Sequence, residues 1–157
     1  MPSLSYKDTS TRLAEIASTT NATEFVYDLL RIFGDVTETR IRRIKEGTGN
    51  MAKDGKTVLA KFGKPFRVVA YRSAAPDGLA QEMELLKNDK KVMKQAPRLL
   101  MVSDGRKVVA HDPKEAEDYE NDISALWKDF DFFMPLAGVE KFRNIEENEA
   151  DVYQPRQ

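Results

Sequence analysis

The residues best suited to chemistry sit just before and within two apolar stretches. Asp54-Gly55-Lys56 places a carboxylate two positions from a lysine, and Val68-Val69-Ala70-Tyr71-Arg72 follows downstream. Metal-dependent phosphodiester cleavage needs an acid near one strand and Glu-x-Lys on the next, so that two carboxylates hold Mg²⁺ and the lysine steers the attacking water. Here an alanine, Ala70, stands where the metal-binding glutamate would be, and an arginine, Arg72, stands where the lysine would be. Asp-Gly more often marks a turn than a ligand. No catalytic residue is therefore assigned. The candidates for a divergent nuclease are Asp54 and Lys56, with a second acid from Glu24 or Asp28. Mg²⁺ is expected only under that alternative; otherwise no cofactor and no metal site is expected.

Other chemistries lack their parts. There is no cysteine and one histidine, His111, which reads as a structural or surface residue before it reads as a ligand. Ser-His-Asp chemistry has no Gly-x-Ser-x-Gly elbow to go with that histidine. Gly47-Thr48-Gly49 is not followed by the Lys-Ser/Thr of a phosphate-binding loop.

Charge carries more information. The formal net charge is −1, but its distribution is uneven. Between Arg40 and Arg72 stand ten Lys/Arg and two acids, whereas from His111 onward thirteen acids face five basic residues. The basic set is Arg40, Arg42, Arg43, Lys45, Lys53, Lys56, Lys61, Lys64, Arg67 and Arg72. Such a stripe pairs with phosphates and releases counterions, giving salt-dependent DNA binding without sequence preference. The competing reading is two solvated faces that balance each other. Phe62 and Phe66 are candidates for stacking on bases, although their strand positions favour the core. Trp127, Phe130, Phe132 and Phe133 are core candidates as well.

These side chains need elements to hold them. The 157 residues suit one domain with a substantial core, at 41% hydrophobic and 32% charged. No apolar run approaches membrane-spanning length, the N-terminus has no signal-like apolar region, and a cytoplasmic location is expected. A short helix is expected over 12–17, capped by Asp8 or Thr9. Asn21 and Glu24 resemble a capping box for a helix over 22–33, ended by Gly34. Thr37 caps a helix over 38–46. Strands follow at 57–62 and 66–71. Asp77 caps the next helix, which Asn88-Asp89 breaks in two. Asp104-Gly105 signals a tight hairpin between strands 98–103 and 107–111, whose apolar triplets suggest cover on both faces. Residues 113–120 read as an acidic loop and 122–129 as a helix followed by an aromatic run, with a last helical turn over 139–142.

The expected fold is α/β (α+β): a central mixed sheet of about four strands flanked by helices, in the order α-α-β-β-α-β-β-α. Residues 1–20 form an N-terminal extension with a short helix, 21–143 a single domain, and 144–157 an acidic tail expected to fray. That order of elements is also how PD-(D/E)xK, restriction-endonuclease-like cores are arranged.

Four stretches together carry a family resemblance. EFVYDLLRIFG at 24–34 is similar to the opening helix of the N-terminal domain of type IIG-like restriction-modification polypeptides, which fuse adenine-specific DNA methyltransferase and cleavage functions. TRIRRIKEGTGN at 39–50 resembles the family's basic TRLKKG-x-x-N segment. Residues 97–112 resemble its PRFLIVTDFKTLLAYD hairpin, and DFDFFMPLAGVEKF at 129–142 resembles its HFDFFLPLAGIEK ending. The resemblance implies a module of a bacterial defence system that precedes a helical spacer and the methyltransferase. The chain has neither the Asn/Asp-Pro-Pro-Tyr/Phe motif nor the glycine-rich S-adenosylmethionine loop, so methylation by this segment alone is not expected. The expected role is a non-catalytic, nuclease-like module that contacts the DNA backbone or a methyltransferase or restriction subunit. The alternatives are a divergent Mg²⁺-dependent nuclease and a protein-interaction module without DNA binding. No membrane partner is expected, and oligomeric state is open.

Overall fold

The computed structural model describes residues 6–140; the acidic stretch 144–157 and the second half of the turn expected over 139–142 lie outside the described residues. Three helices come first: α1 (Tyr6–Ile16), α2 (Phe25–Phe33) and α3 (Glu38–Lys45). Strands β1 (Thr57–Phe62) and β2 (Arg67–Ser73) form an antiparallel pair, and α4 (Leu79–Lys87) and α5 (Lys90–Lys94) cross over to β3 (Leu99–Ser103), which runs parallel to β2. Strands β4 (Lys107–Asp112) and β5 (Glu117–Asp122) add on antiparallel, and the 3₁₀ segment Ile123–Ala137 is the last described element. The spatial order equals the sequence order, β1-β2-β3-β4-β5.

The α/β class and mixed sheet match the sequence expectation, with five strands instead of four. The strand missed is β5. Its sequence, EDYEND, has a single large apolar residue, because it is an edge strand whose side chains alternate between half-buried and exposed. Register on β4, not apolar content, makes it a strand. The segment after it is two 3₁₀ stretches that meet at a kink at Asp129, with Pro135 in the second, where a short α-helix was expected.

Alternation on the strands builds two cores, one on each face. Leu59, Ala70, Leu100 and Val102 meet Met83 and Leu86 of α4 and Val92 of α5. Ala60, Tyr71, Met101 and Ala110 point the other way, to Phe25 and Leu29 of α2, Ile41 and Ile44 of α3, and Phe133 of the 3₁₀ segment. Strand β3 is buried at every position, so the reading of cover on both faces holds there. It holds less well on β4, where every second residue is only half-buried. Helix α1 is longer than expected, and its Leu13 is fully buried in the larger core.

Local signals explain most boundaries. Asn21 Oδ1 accepts from the amides of Thr23 and Glu24 at 2.9 and 2.8 Å, which starts α2; Glu24 does not reach back to complete the box. Thr37 caps α3 through the Arg40 amide, and Asp89 caps α5 through the amides of Lys91 and Val92. The expected Asp77 cap is not made: Gly78 holds that position on α4. Gly34 is glycine for space, since a Cβ there would sit 2.9 Å from the Leu30 carbonyl and 3.0 Å from the Phe62 ring.

Candidate functional site

An arginine inside an otherwise apolar strand needs counter-charges, because an unpaired buried cation is very costly. Arg72 is 4% exposed and lies on the sheet face that α4 and α5 cover. Its Nε donates to Thr57 Oγ1 at 2.8 Å, one terminal nitrogen donates to Glu82 at 3.1 Å, and the other to Asp89 at 2.8 Å. Asp54 stands 3.9 Å away. The cluster therefore ties β2 to β1, to α4 and to the start of α5.

Asp54 is built into the same knot by a turn. Its Oδ1 accepts from the amides of Lys56 and Thr57, its Oδ2 accepts from the Thr57 hydroxyl at 2.7 Å, and Gly55 takes a positive φ of 78°. Partial burial works to raise this carboxyl. The three hydrogen bonds and the Arg72 charge outweigh it and hold the group at about 2. Asp54-Gly55-Lys56 is thus a turn, as Asp-Gly usually is.

The other nuclease candidates are elsewhere. Glu24 and Asp28 belong to the start of α2, which packs on the opposite face of the sheet. Glu24 pairs with Lys45 at 3.0 Å and Asp28 with Arg31 at 3.0 Å. Lys56 is exposed. Among the described residues no group of three His, Asp or Glu side chains is arranged to hold a metal ion. Glu82 and Asp89, the carboxylates that do meet Arg72, were missed in the sequence. The available signal was Arg72 itself, since a cation in a buried strand demands acids from whatever packs over it.

The ten basic residues divide by what holds them. Arg72 is buried. Arg67 is half-buried, donates to the carbonyls of Leu136 and Pro65, and lies against the Phe62 ring. Arg40 donates to the Lys61 carbonyl at 2.6 Å, and Lys53 to the Gly47 carbonyl at 2.7 Å. Lys45 pairs with Glu24 and sits over the Tyr27 ring. Arg42, Arg43, Lys56, Lys61 and Lys64 are exposed and form no ion pair with another described residue.

Arg40 also helps close the outer edge of β1. Asn50 Oδ1 accepts from the Leu59 amide, Asn50 Nδ2 donates to the Thr57 carbonyl, the Met51 amide donates to the Leu59 carbonyl, and Arg40 takes the Lys61 carbonyl. An open strand edge is thereby satisfied by side chains and a loop. The basic segment at 39–50 thus has a structural duty alongside its charge.

Of the aromatic candidates, Phe62, Phe132 and Phe133 are buried, but Phe66 is 68% and Trp127 42% exposed. The core reading of those two is corrected. Phe66 falls in the β1–β2 turn, outside the strand that begins at Arg67. Trp127 faces outward on the 3₁₀ segment, whose three-residue repeat turns side chains to a different schedule than an α-helix would. His111 is a half-buried strand residue whose Nδ1 lies 2.7 Å from Asp118, away from the Arg72 cluster. No helix among the described residues is long and apolar enough to cross a membrane.

Comparison with known proteins gives two matches. Residues 7–153 match the family described as MmeI, N-terminal domain. DNA methyltransferase A of Bacillus subtilis (strain 168) is 30% identical over 145 residues, covering 92% of this chain and 16% of that protein. The chain thus spans about a sixth of that relative's length. No solved structure matches.

Proposed function

Since the chain belongs to the MmeI N-terminal domain family of type IIG restriction-modification enzymes, we propose that it is a non-catalytic, nuclease-like module that holds the DNA backbone for a methyltransferase partner. The reading rests on one observation: the carboxylates beside the β1–β2 strands are bound to a guanidinium. Asp54, Glu82 and Asp89 all face Arg72, and a fixed cation so close to these oxygens opposes Mg²⁺ electrostatically. The donor set therefore does not fit a catalytic metal, and no cleavage step is derived through one.

What remains available is charge. Arg42 and Arg43 on α3, with Lys56, Lys61 and Lys64 along β1 and its turns, present cations to solvent. Exposed Lys and Arg bind phosphates without reading bases, which suits a module that adds affinity while other parts of a larger enzyme set specificity. The cytoplasm, where DNA is reached, is the compartment this role needs.

The test is titration of a fluorescent duplex with the protein at about 50 and 200 mM salt. The expected result is binding that weakens by at least roughly tenfold at the higher salt; no binding at the lower salt would overturn the reading. Plasmid incubated with Mg²⁺ or Mn²⁺ is expected to stay intact. Cleavage abolished by Asp54→Ala would replace this reading with a divergent nuclease.

A further inference from the structure

The basic segment that stands out in the sequence ends at Arg72, yet the structure gathers a second set of cations from beyond it. Helix α5 carries Lys90, Lys91 and Lys94, all exposed, and none forms an ion pair with another described residue. Together with Lys53, they line a cavity of about 830 Å³ between α5 and the loop that leads into β1. Leu59, Asp54 and Asp89 line it as well.

The two acids do not neutralise the lysines. Asp54 is engaged by the Lys56 and Thr57 amides and the Thr57 hydroxyl, and Asp89 by the Lys91 and Val92 amides and by Arg72. Counting Arg72 and Glu82 as well, five positive charges face three negative ones, and all three negative ones point at Arg72. The four lysines are exposed. The buried cluster also fixes the groove's shape, because Arg72 pins the start of α5 through Asp89 while Thr57 and Asp54 pin the facing loop.

We propose that this groove is a phosphate track for duplex DNA, with Lys53, Lys90, Lys91 and Lys94 contacting successive backbone phosphates. The proposal rests on the DNA-contact reading above and adds a face to it. Helix α3 packs on one side of the sheet and α5 on the other, so the duplex runs past the covered edge of β1 and is held from both sides. The occupant is identified by charge: several exposed lysines on one groove, none in an ion pair with another described residue, suit a regularly spaced polyanion.

The test compares the protein with a Lys90→Glu/Lys91→Glu/Lys94→Glu variant and an Arg42→Glu/Arg43→Glu variant on the same duplex across a salt series. These side chains are exposed, so thermal melts are expected to agree to within a few degrees, and a neutral Lys→Gln triple serves if the charge-reversed one does not fold. The triple variant is expected to bind at least roughly tenfold more weakly at low salt, with the slope of log affinity against log salt reduced by about 2 to 3, near 0.9 per phosphate lost. The chain has no cysteine, so Lys94→Cys gives a unique attachment point for a photo-crosslinker, and a crosslink to the duplex is expected. Failure of the unmodified protein to bind overturns the DNA-contact reading itself. Binding with an unchanged slope in the triple variant, or competition by inorganic tripolyphosphate as effective as by duplex at equal phosphate, overturns the groove alone.

Discussion

The two edges of the sheet handle charge in opposite ways. At the β1 edge the backbone is closed by Asn50, Met51 and Arg40, and the surrounding lysines and arginines are left largely without acids. At the β5 edge the acids are answered: Asp118 meets His111 at 2.7 Å and Lys87 at 3.4 Å, and Glu120 meets Lys107 at 3.7 Å. The hydrogen bond from His111, with the nearby Lys87 charge, holds the Asp118 carboxyl below its ordinary value despite some desolvation. Acidic side chains on an edge strand discourage another strand from adding to it. One edge is thus protected by charge and keeps its charges paired, while the other is protected by capping, which leaves several of its charges exposed to solvent.

The largest test of that contrast is Arg72→Ala, which strips the β1 side of its internal counter-ion. It is expected to cost about 3 kcal/mol in urea denaturation, at the lower end for a broken buried pair because Glu82, Asp89 and Asp54 still reach water. A loss under about 1 kcal/mol would show that the cluster does not hold β2 to α4 and α5. Asn50→Ala comes next, at about 2 kcal/mol for several part-buried hydrogen bonds lost together. Hydrogen exchange is expected to speed up at the Leu59 amide in that variant, and an unchanged rate would mean the edge is closed by something else.

Acid probes two further paired carboxyls, one in the turn into β1 and one at Glu140. Against desolvation by burial, the turn and Arg72 hold Asp54 at about 2; Glu140 is held at about 2 first by its hydrogen bond from Arg98 and then by Lys114. Both carboxyls lie below their ordinary values of 3.8 and 4.5. Their stabilisation is therefore fully present above about pH 4.5 and disappears as pH falls toward about 2. An Asp54→Asn/Glu140→Gln protein is expected to lose less stability than the parent between about pH 4.5 and 2.5; equal losses would locate acid sensitivity elsewhere. The smallest effect is expected on the β5 edge, where Glu120→Ala changes stability by about 0.5 kcal/mol or less, as exposed pairs do. A larger loss in denaturant would mean that the paired edge is held by its charges after all.

Much of the fold could be read from the chain. The periodicity of Phe25, Leu29 and Phe33 marks α2, Thr37 caps α3 as its type suggests, Asn88-Asp89 breaks the next helix in two, and Asp104-Gly105 turns β3 into β4. In that turn Asp104 Oδ1 accepts from the Arg106 and Lys107 amides. The misses share a cause. Strand β5 lacks an apolar face, Phe66 lies one residue outside its strand, and Trp127 lies on a 3₁₀ segment. Each is decided by a neighbour's register or by a local geometry that composition does not encode. At the candidate site, the basic segment 40–72 was visible as charge, but its division into capping, buried and free residues was not.

The order of amino acids is enough for the α/β class, the sequence of most elements, the positions of charge and the absence of a Glu-x-Lys pair, because propensity, periodicity and side-chain type are local properties. Folding in three dimensions adds the rest: Arg72 enclosed by Glu82, Asp89 and Asp54, Arg40 and Asn50 serving the β1 edge, and the lysines of α5 joining Lys53. Those juxtapositions come from packing α4 and α5 over the sheet, and burial of a charge selects partners by proximity in space, which residue spacing along the chain does not set.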